Sequence, residues 1–160
     1  ARPVPLPPHS RVEAALIGAK GAAVVELATR AGAVGIVPVH LEFRRESTRL
    51  AAVPALRALQ DDAPPLVLAG DFNTSPPGWP GAEPMTALGR LMDAGWTGPR
   101  AVGDPAAAEL TFPSPDPRRA IDWVLAEPPL RVLSARVLGD QPTLSDHLPV
   151  LAAVEVRPPR

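Results

Sequence analysis

Apolar residues in the first part of the chain form two short runs that are separated by a turn sequence. Residues 24–27 and 34–41 are rich in valine, isoleucine and leucine, and Arg30-Ala31-Gly32 lies between them. Two such runs joined by a glycine-containing turn predict a β-hairpin. The preceding residues 1–10 are rich in proline, and we expect them to form an extended lead.

The segment that follows Glu46 has apolar residues at the spacing of one helix face. The residues on that face are Leu50, Val53, Leu56 and Leu59. Pro54 lies in the same stretch. Because proline lacks a backbone N–H, we expect it to kink this helix or to start a second segment.

A second helix is predicted over residues 84–95, with Gly95 ending it. The side chains predicted to face inward are those of Met85, Leu88, Leu91 and Met92. Between the two helices, residues 66–69 are too few and too evenly apolar for a helix. This run therefore favours a strand that is buried on both faces.

Three apolar runs near the end of the chain, residues 121–126, 130–138 and 148–156, predict three strands. The last run alternates, and the residues predicted to share one side are Val150, Ala152, Val154 and Val156. The resulting order is strand, strand, helix, strand, helix, strand, strand, strand. This mixed order favours sheets with covering helices.

The composition limits the classes of function. The chain has 160 residues, of which 46% are apolar, and this suits one domain with a hydrophobic core. Its net charge is −1, so it lacks the basic excess that is usual in proteins that hold duplex DNA through the phosphates. The absence of cysteine excludes disulfides and thiolate chemistry. No apolar run approaches the roughly 20 residues that span a bilayer.

Polar residues follow the buried run 66–69 directly, in Gly70-Asp71-Phe72-Asn73. Because residues i and i+2 of a strand share a face, Asp71 and Asn73 can point together where the strand ends. A carboxylate and an amide at one place suit a hard cation or a nucleophilic water. The alternative is an Asx-type turn, in which both side chains bond only the local backbone.

Other polar residues also lie at predicted strand ends. Ser145-Asp146-His147 precedes the last strand and fits either a metal carboxylate beside a phosphate-binding imidazole or a simple polar turn. Asp122 lies in an apolar run, where an unpaired charge is costly, so we expect it to pair with an imidazole or with Arg118 or Arg119. A carboxylate beside a histidine favours the protonated ring. His40 ends a strand as either a catalyst or a packing residue.

Taken in chain order, these motifs resemble those of the endonuclease/exonuclease/phosphatase superfamily, the DNase I-like metal-dependent phosphoesterases. The motifs are His-Leu after an aliphatic strand, Gly-Asp-Phe-Asn, Ile-Asp-Trp and Ser-Asp-His, and they cover residues 34–150. Thr111-Phe112-Pro113 is also similar to the family. The resemblance implies an α+β fold, a DNase I-like β-sandwich of two sheets flanked by helices. It also implies in-line attack of water on a phosphoester with Mg²⁺ or Mn²⁺ as cofactor.

The resemblance implies a role for each polar residue near the water and the metal. Asp71 would orient the attacking water or accept a proton from it. Asn73 would fix that water and the geometry of the metal site. Asp146 would be a metal carboxylate, so the implied metal ligands are Asp71, Asn73 and Asp146.

The remaining implied roles concern the phosphate. His147, paired with Asp122, would bind the scissile phosphate and stabilise its charge. His40 would be a second phosphate contact or a proton donor near the leaving group. The substrate stays open among nucleic acid, phospholipid head groups such as phosphoinositide and sphingomyelin, and small phosphoesters.

The sequence departs from the family pattern at its beginning. The family's opening strand ending in Asn, and its Gln-Glu motif that supplies a principal metal ligand, are not recognisable, and residues 1–8 resemble the segment that follows them. The first residue is neither an initiator methionine nor part of a signal peptide. We therefore expect residues 1–160 to be an N-terminally truncated, incomplete domain that lacks its opening strands and helices. Its expected partner is then the upstream segment of the same domain.

Two classes of function follow from this departure. The first is a metal-dependent phosphodiesterase, nuclease or phosphatase, and the second is a non-catalytic binding or scaffold module derived from the same fold. The residues do not indicate a cellular location.

Overall fold

The computed structural model describes residues 1–7, 15, 21–61, 64–99, 109–139 and 144–156. The strands are β1 (Arg2–Pro5), β2 (Gly21–Thr29), β3 (Gly32–His40), β4 (Leu66–Asp71), β5 (Asp122–Ala126), β6 (Arg131–Val137) and β7 (Val150–Glu155). The helices are α1 (Glu46–Arg57), followed by the 3₁₀ turn Ala58–Asp61, and α2 (Ala87–Asp93). The predicted order is confirmed, and β1 is added within the proline-rich lead. Residues 8–10 of that lead lie outside the described residues.

Five strands form one sheet in the order β1-β2-β3-β4-β5, and β6 pairs with β7 in a second sheet. The predicted hairpin is confirmed, because β2 and β3 are antiparallel from Val25 opposite Ile36 to Thr29 opposite Gly32. β3 and β4 are parallel, whereas β4 and β5 are antiparallel. The ends of β3 and β4 and the start of β5 therefore lie at the same edge of the sheet.

Other elements pack on both faces of the larger sheet. On one face, α1 and α2 pack on a core whose sheet residues include Val37, Val39, Leu66, Leu68, Trp123 and Leu125. On the other face, Val34, Val67 and Ala126 of the same strands pack with Leu130 and with Val132 and Val154 of the second sheet. This arrangement is an α+β sandwich flanked by helices, as expected. Neither described helix is long and apolar enough to cross a membrane.

Pro54 is predicted to kink the first helix or to start a second segment, and the second of these alternatives is wrong. α1 continues through Pro54 to Arg57 and only then tightens into the 3₁₀ turn. Pro54 is exposed on the outer side of the helix, while Val53 and Leu56 are buried against the core. The proline ring thus meets solvent, and the packing of the inner face holds the helix together despite the missing N–H.

The second helix is shorter at its start than predicted. Thr86 is the N-cap of this helix, and its hydroxyl accepts a hydrogen bond from the Gly89 N–H. Met85 therefore lies before the helix, and it is 48% exposed instead of facing inward. The predicted end is confirmed. Gly95 has φ +96°, and the Trp96 N–H donates to the Leu91 carbonyl, which is a glycine-terminated Schellman arrangement.

Candidate active site

Three ionisable side chains form a row at one edge of the larger sheet. His40 at the end of β3 is opposite Asp71 at the end of β4, and Asp71 is opposite Asp122 at the start of β5. Directly opposed residues on neighbouring strands have their side chains on the same face. This is the face whose residues Val67 and Val124 pack towards the second sheet. Three residues far apart in sequence therefore meet because of strand register alone.

A tight turn fixes the geometry after β4. One oxygen of Asp71 accepts the Asn73 backbone N–H at 2.7 Å, and the other accepts the Asn73 amide nitrogen at 2.9 Å. That nitrogen also donates to the Leu41 carbonyl at 3.1 Å, and Asn73 has φ +52°. The Asx-type interpretation is thus correct as local geometry. Both side-chain bonds of Asn73 use its amide nitrogen, and among the described residues no hydrogen bond to its side-chain carbonyl oxygen is found, so this oxygen is left as an acceptor.

Gly70 allows this turn to lie against the neighbouring strand. Its φ is +141°, and a Cβ atom at this position would be 2.1 Å from the Val39 carbonyl oxygen. Both the backbone conformation and the close approach of β3 therefore require glycine immediately before Asp71.

His147 joins the row from the loop that precedes β7. Its Nδ1 is 2.9 Å from Asp122 Oδ2, and its Nε2 is 3.9 Å from Asp71 Oδ2. The ring lies on Phe112, with 4.8 Å between the ring centroids. The predicted imidazole partner of Asp122 is therefore present, whereas Arg118 pairs with Asp116. His40 approaches the row from the open side, with Nε2 3.6 Å from Asp71 Oδ2 and a side chain that is 70% exposed.

The environment raises the pKa of two of these groups. Burial is the largest effect on Asp71 and raises its pKa. The charge of Asp122 acts in the same direction, against the hydrogen bond from Asn73 and the two histidines. For His147, burial acts to lower the pKa, but the hydrogen bond and charge of Asp122 outweigh it, so the pKa is raised. The site thus favours a more basic carboxylate next to a protonated imidazole.

These groups line an open cleft of about 510 Å³ that also contains Asn73, Asp146 and Arg119. Asp146 is exposed, and its backbone carbonyl accepts the Ser114 N–H at 2.8 Å, which fixes the loop that carries it. Within the described ranges, no group of three or more histidine, aspartate or glutamate side chains is arranged to hold a metal ion. The described residues therefore offer oxygen donors at the cleft but no enclosed metal cage.

Behind this turn lies a buried charged network that was not predicted from the sequence. Glu46, at the start of α1, is 4% exposed and accepts hydrogen bonds from Arg49, from the Thr74 hydroxyl at 2.8 Å and from the Ala87 N–H at 2.6 Å. One carboxylate thus connects α1, the start of α2 and the residue that follows Asn73. The only sequence signal is an acidic residue in a first helical turn, which is common at exposed positions as well.

Replacing Glu46 by alanine should lower the free energy of unfolding by about 3–5 kcal/mol, because it leaves Arg49 buried and unpaired. Chemical denaturation monitored by tryptophan fluorescence would measure this change. The matched control is Glu83→Ala at an exposed loop position, where we expect a change within about 0.5 kcal/mol. Equal effects of the two substitutions would show that the network does not stabilise the fold.

Comparison with known proteins gives the family. The model of the endonuclease/exonuclease/phosphatase family matches residues 3–147, and the chain belongs to this family. Family members hydrolyse phosphoester bonds and typically use divalent metal ions. Among curated proteins, none matches this sequence closely enough to count as a relative.

Solved structures of the family share the fold. An endonuclease/exonuclease/phosphatase from Beutenbergia cavernae has a TM-score of 0.68 at 20% identity, over 97% of this chain and 44% of its own. A mannosyl-6-phosphatase from Bacteroides thetaiotaomicron has a TM-score of 0.63 at 15% identity, over 84% and 56%. A 3′ phosphatase from Neisseria, bound to a product DNA hairpin, has a TM-score of 0.63 at 20% identity, over 82% and 64%. The chain thus spans less than two thirds of each of these proteins.

Proposed function

We propose that this chain is part of an enzyme that hydrolyses phosphoesters by in-line attack of an activated water. The observation that carries the proposal is the cluster of Asp71, Asp122 and His147. In this cluster the distance from Asp71 Oδ2 to His147 Nε2 is 3.9 Å. The pKa of the Asp71 carboxylate is raised, and the second carboxylate, Asp122, favours the protonated form of the His147 ring. A base whose pKa is nearer to neutrality is effective in proton transfer, and a fixed cation stabilises charge that develops on the phosphoryl oxygens.

In this proposal, the residues divide the reaction between them. Asp71 orients the water and accepts its proton, while the carbonyl oxygen of Asn73 holds that water in position. His147 binds the scissile phosphate through Nε2, since Nδ1 is bonded to Asp122. His40, which is exposed at the mouth of the cleft, would contact the phosphate or protonate the leaving group.

Mg²⁺ or Mn²⁺ is the proposed cofactor, with Asp71, Asn73 and Asp146 as ligands. Oxygen donors suit these hard cations, and Mg²⁺ is commonly held by one or two carboxylates together with waters and substrate phosphates, so an open site is compatible with it. The ion would supply positive charge that neutralises the phosphoryl group. Because two carboxylates provide little coordination, we expect these residues alone to hold the ion weakly.

The partners follow from the same proposal. The substrate is a phosphoester, whether in nucleic acid, in a phospholipid head group or in a small molecule. Residues 1–160 are proposed to form the later portion of one domain, completed by its upstream segment. The other proposed function, a non-catalytic binding or scaffold module, is favoured by the lack of a three-residue metal group among the described residues.

Metal dependence tests the enzyme. Hydrolysis of bis(p-nitrophenyl) phosphate by the protein at its natural length should be lost in EDTA and return with Mg²⁺ or Mn²⁺. Asp146→Asn should need a higher metal concentration for its half-maximal rate. The matched control is Asp116→Asn, because Asp116 pairs with Arg118, and this variant should behave like the wild type. Full turnover in chelator would exclude the metal. A folded protein without turnover under any of these conditions would favour the binding module.

A further inference from the structure

A second cleft opens beside the catalytic one. It has a volume of about 380 Å³, within the range of small-molecule sites, and its lining includes Ser75, Trp79, Glu83 and Arg118. Asn73 and Arg119 line both clefts. A ligand whose reacting phosphate lies near His147 can therefore extend past Arg119 into this side cleft.

The two clefts differ in charge. The catalytic cleft contains three aspartates and one arginine, Arg119, in addition to its two histidines. The side cleft contains three arginines and two glutamates, an excess of one positive charge. Of these arginines, Arg49 is paired with Glu46 and Arg118 with Asp116. For Arg119, neither an ion pair nor a side-chain hydrogen bond is found within the described part of the chain.

The backbone of Arg119 is held firmly next to the catalytic histidine. Arg119 and Phe112 form an antiparallel bridge, with hydrogen bonds of 2.9 and 3.0 Å between their backbones. Phe112 in turn lies on the ring of His147. The backbone at Arg119 is therefore fixed close to the catalytic cleft, and its exposed side chain is within reach of an anionic group that extends from the reacting phosphate.

We propose that Arg119, at the junction of the two clefts, binds a second anionic group of the substrate, so that the preferred substrates are phosphoesters that carry a further phosphate. This inference rests on the proposed function, because it concerns the same site. A guanidinium binds phosphate through two parallel hydrogen bonds, and such charge-assisted bonds are the stronger ones. Glu83 also lines the side cleft, and within the described part of the chain no cation is found paired with it. The second phosphate is therefore expected at Arg119 and not on the Glu83 side.

The test compares two substrates that differ only in this group. They are the 5′-(p-nitrophenyl) ester of thymidine 5′-phosphate and the same ester with a 3′-phosphate. For the protein at its natural length with Mn²⁺, kcat/KM should be about tenfold or more higher for the bisphosphate. Arg119→Gln should bring the ratio near one, and Arg119→Lys should keep part of it. The matched control, Arg136→Gln on exposed β6, should keep the wild-type ratio.

Binding separates this inference from the proposed function. If no ester is hydrolysed, the proposed function fails. Calorimetry then decides the inference by measuring the affinities for adenosine 3′,5′-bisphosphate and adenosine 5′-monophosphate. The bisphosphate should bind at least about tenfold more tightly, and Arg119→Gln should bring the ratio of the two affinities near one. Equal affinity for the two nucleotides, no binding of either, or a preference that survives in Arg119→Gln would overturn it.

Discussion

Replacing His147 or Asp122 by alanine is expected to reduce turnover by similar factors, about 10²–10³-fold each. The double variant should be barely slower than either single one, because the imidazole acts on the phosphate only while Asp122 holds it in place and protonated. The physical basis is the 2.9 Å contact between His147 Nδ1 and Asp122 Oδ2. Steady-state kinetics on bis(p-nitrophenyl) phosphate with the natural-length protein measure all three variants.

The pH profile distinguishes this coupling from a general loss of structure. In the proposed mechanism His147 binds phosphate in its protonated form, so activity should fall as the pH rises through its raised pKa. Asp122→Asn removes the main cause of the raised pKa of His147, so the alkaline limb of the pH–activity profile should move to lower pH. Asp93→Asn, at an exposed position of α2, is the control and should change neither rate nor profile. Additive losses in the double variant would mean that the two residues act separately.

The second large effect concerns the 160 residues by themselves, which we expect to be catalytically silent. The reason is weak metal binding, since the described residues contain no group of three acidic or histidine side chains that could hold a metal ion. The metal-binding glutamate of the family pattern is not recognisable in these residues, and the lack of a negative ligand weakens the binding of a hard dication. Phosphoryl transfer depends on the positive charge of that ion. The assay is hydrolysis of bis(p-nitrophenyl) phosphate with Mn²⁺, with Asp71→Ala as the inactive reference.

The packing of the sandwich supports the same expectation. Val25 and Leu27 of β2 lie on the face opposite the helices, yet they are 45% and 55% exposed because the two-stranded second sheet leaves them uncovered. An uncovered apolar sheet face favours association with another segment. Adding the upstream segment as a separate polypeptide is therefore expected to restore activity. Turnover by the 160 residues alone, lost in Asp71→Ala, would prove this prediction wrong.

The predictions that held depended on local patterns. The hairpin, the buried strand β4 and the end of α2 at Gly95 follow from apolar periodicity and from glycine, which act within a few residues. Two expectations failed, a second segment starting at Pro54 and an inward-facing Met85. They depended on which side of a helix meets the core and on which residue caps it. Those features are decided by packing and by a single hydrogen bond, neither of which the apolar pattern records.

The candidate site shows the same division. Each polar motif was ambiguous in the sequence, because an Asx turn and a catalytic carboxylate use the same residues. The structure shows that Asp71 and Asn73 do form such a turn and that Asp71 also lies beside two histidines. The catalytic roles of these residues, and the roles of Asp146 and His40 in particular, stay predictions.

The sequence by itself determined the order of strands and helices, the polar residues at strand ends and, through the order of its motifs, the family. Only the tertiary structure decided which of these residues meet. The row from His40 through Asp71 to Asp122 results from pairing between strands that are distant in the chain, and a shift of one residue in register would turn these side chains to the other face. The buried Glu46 network and the junction at Arg119 likewise join segments about 30 to 45 residues apart. Contacts of this kind depend on how the whole chain packs, so no local pattern records them.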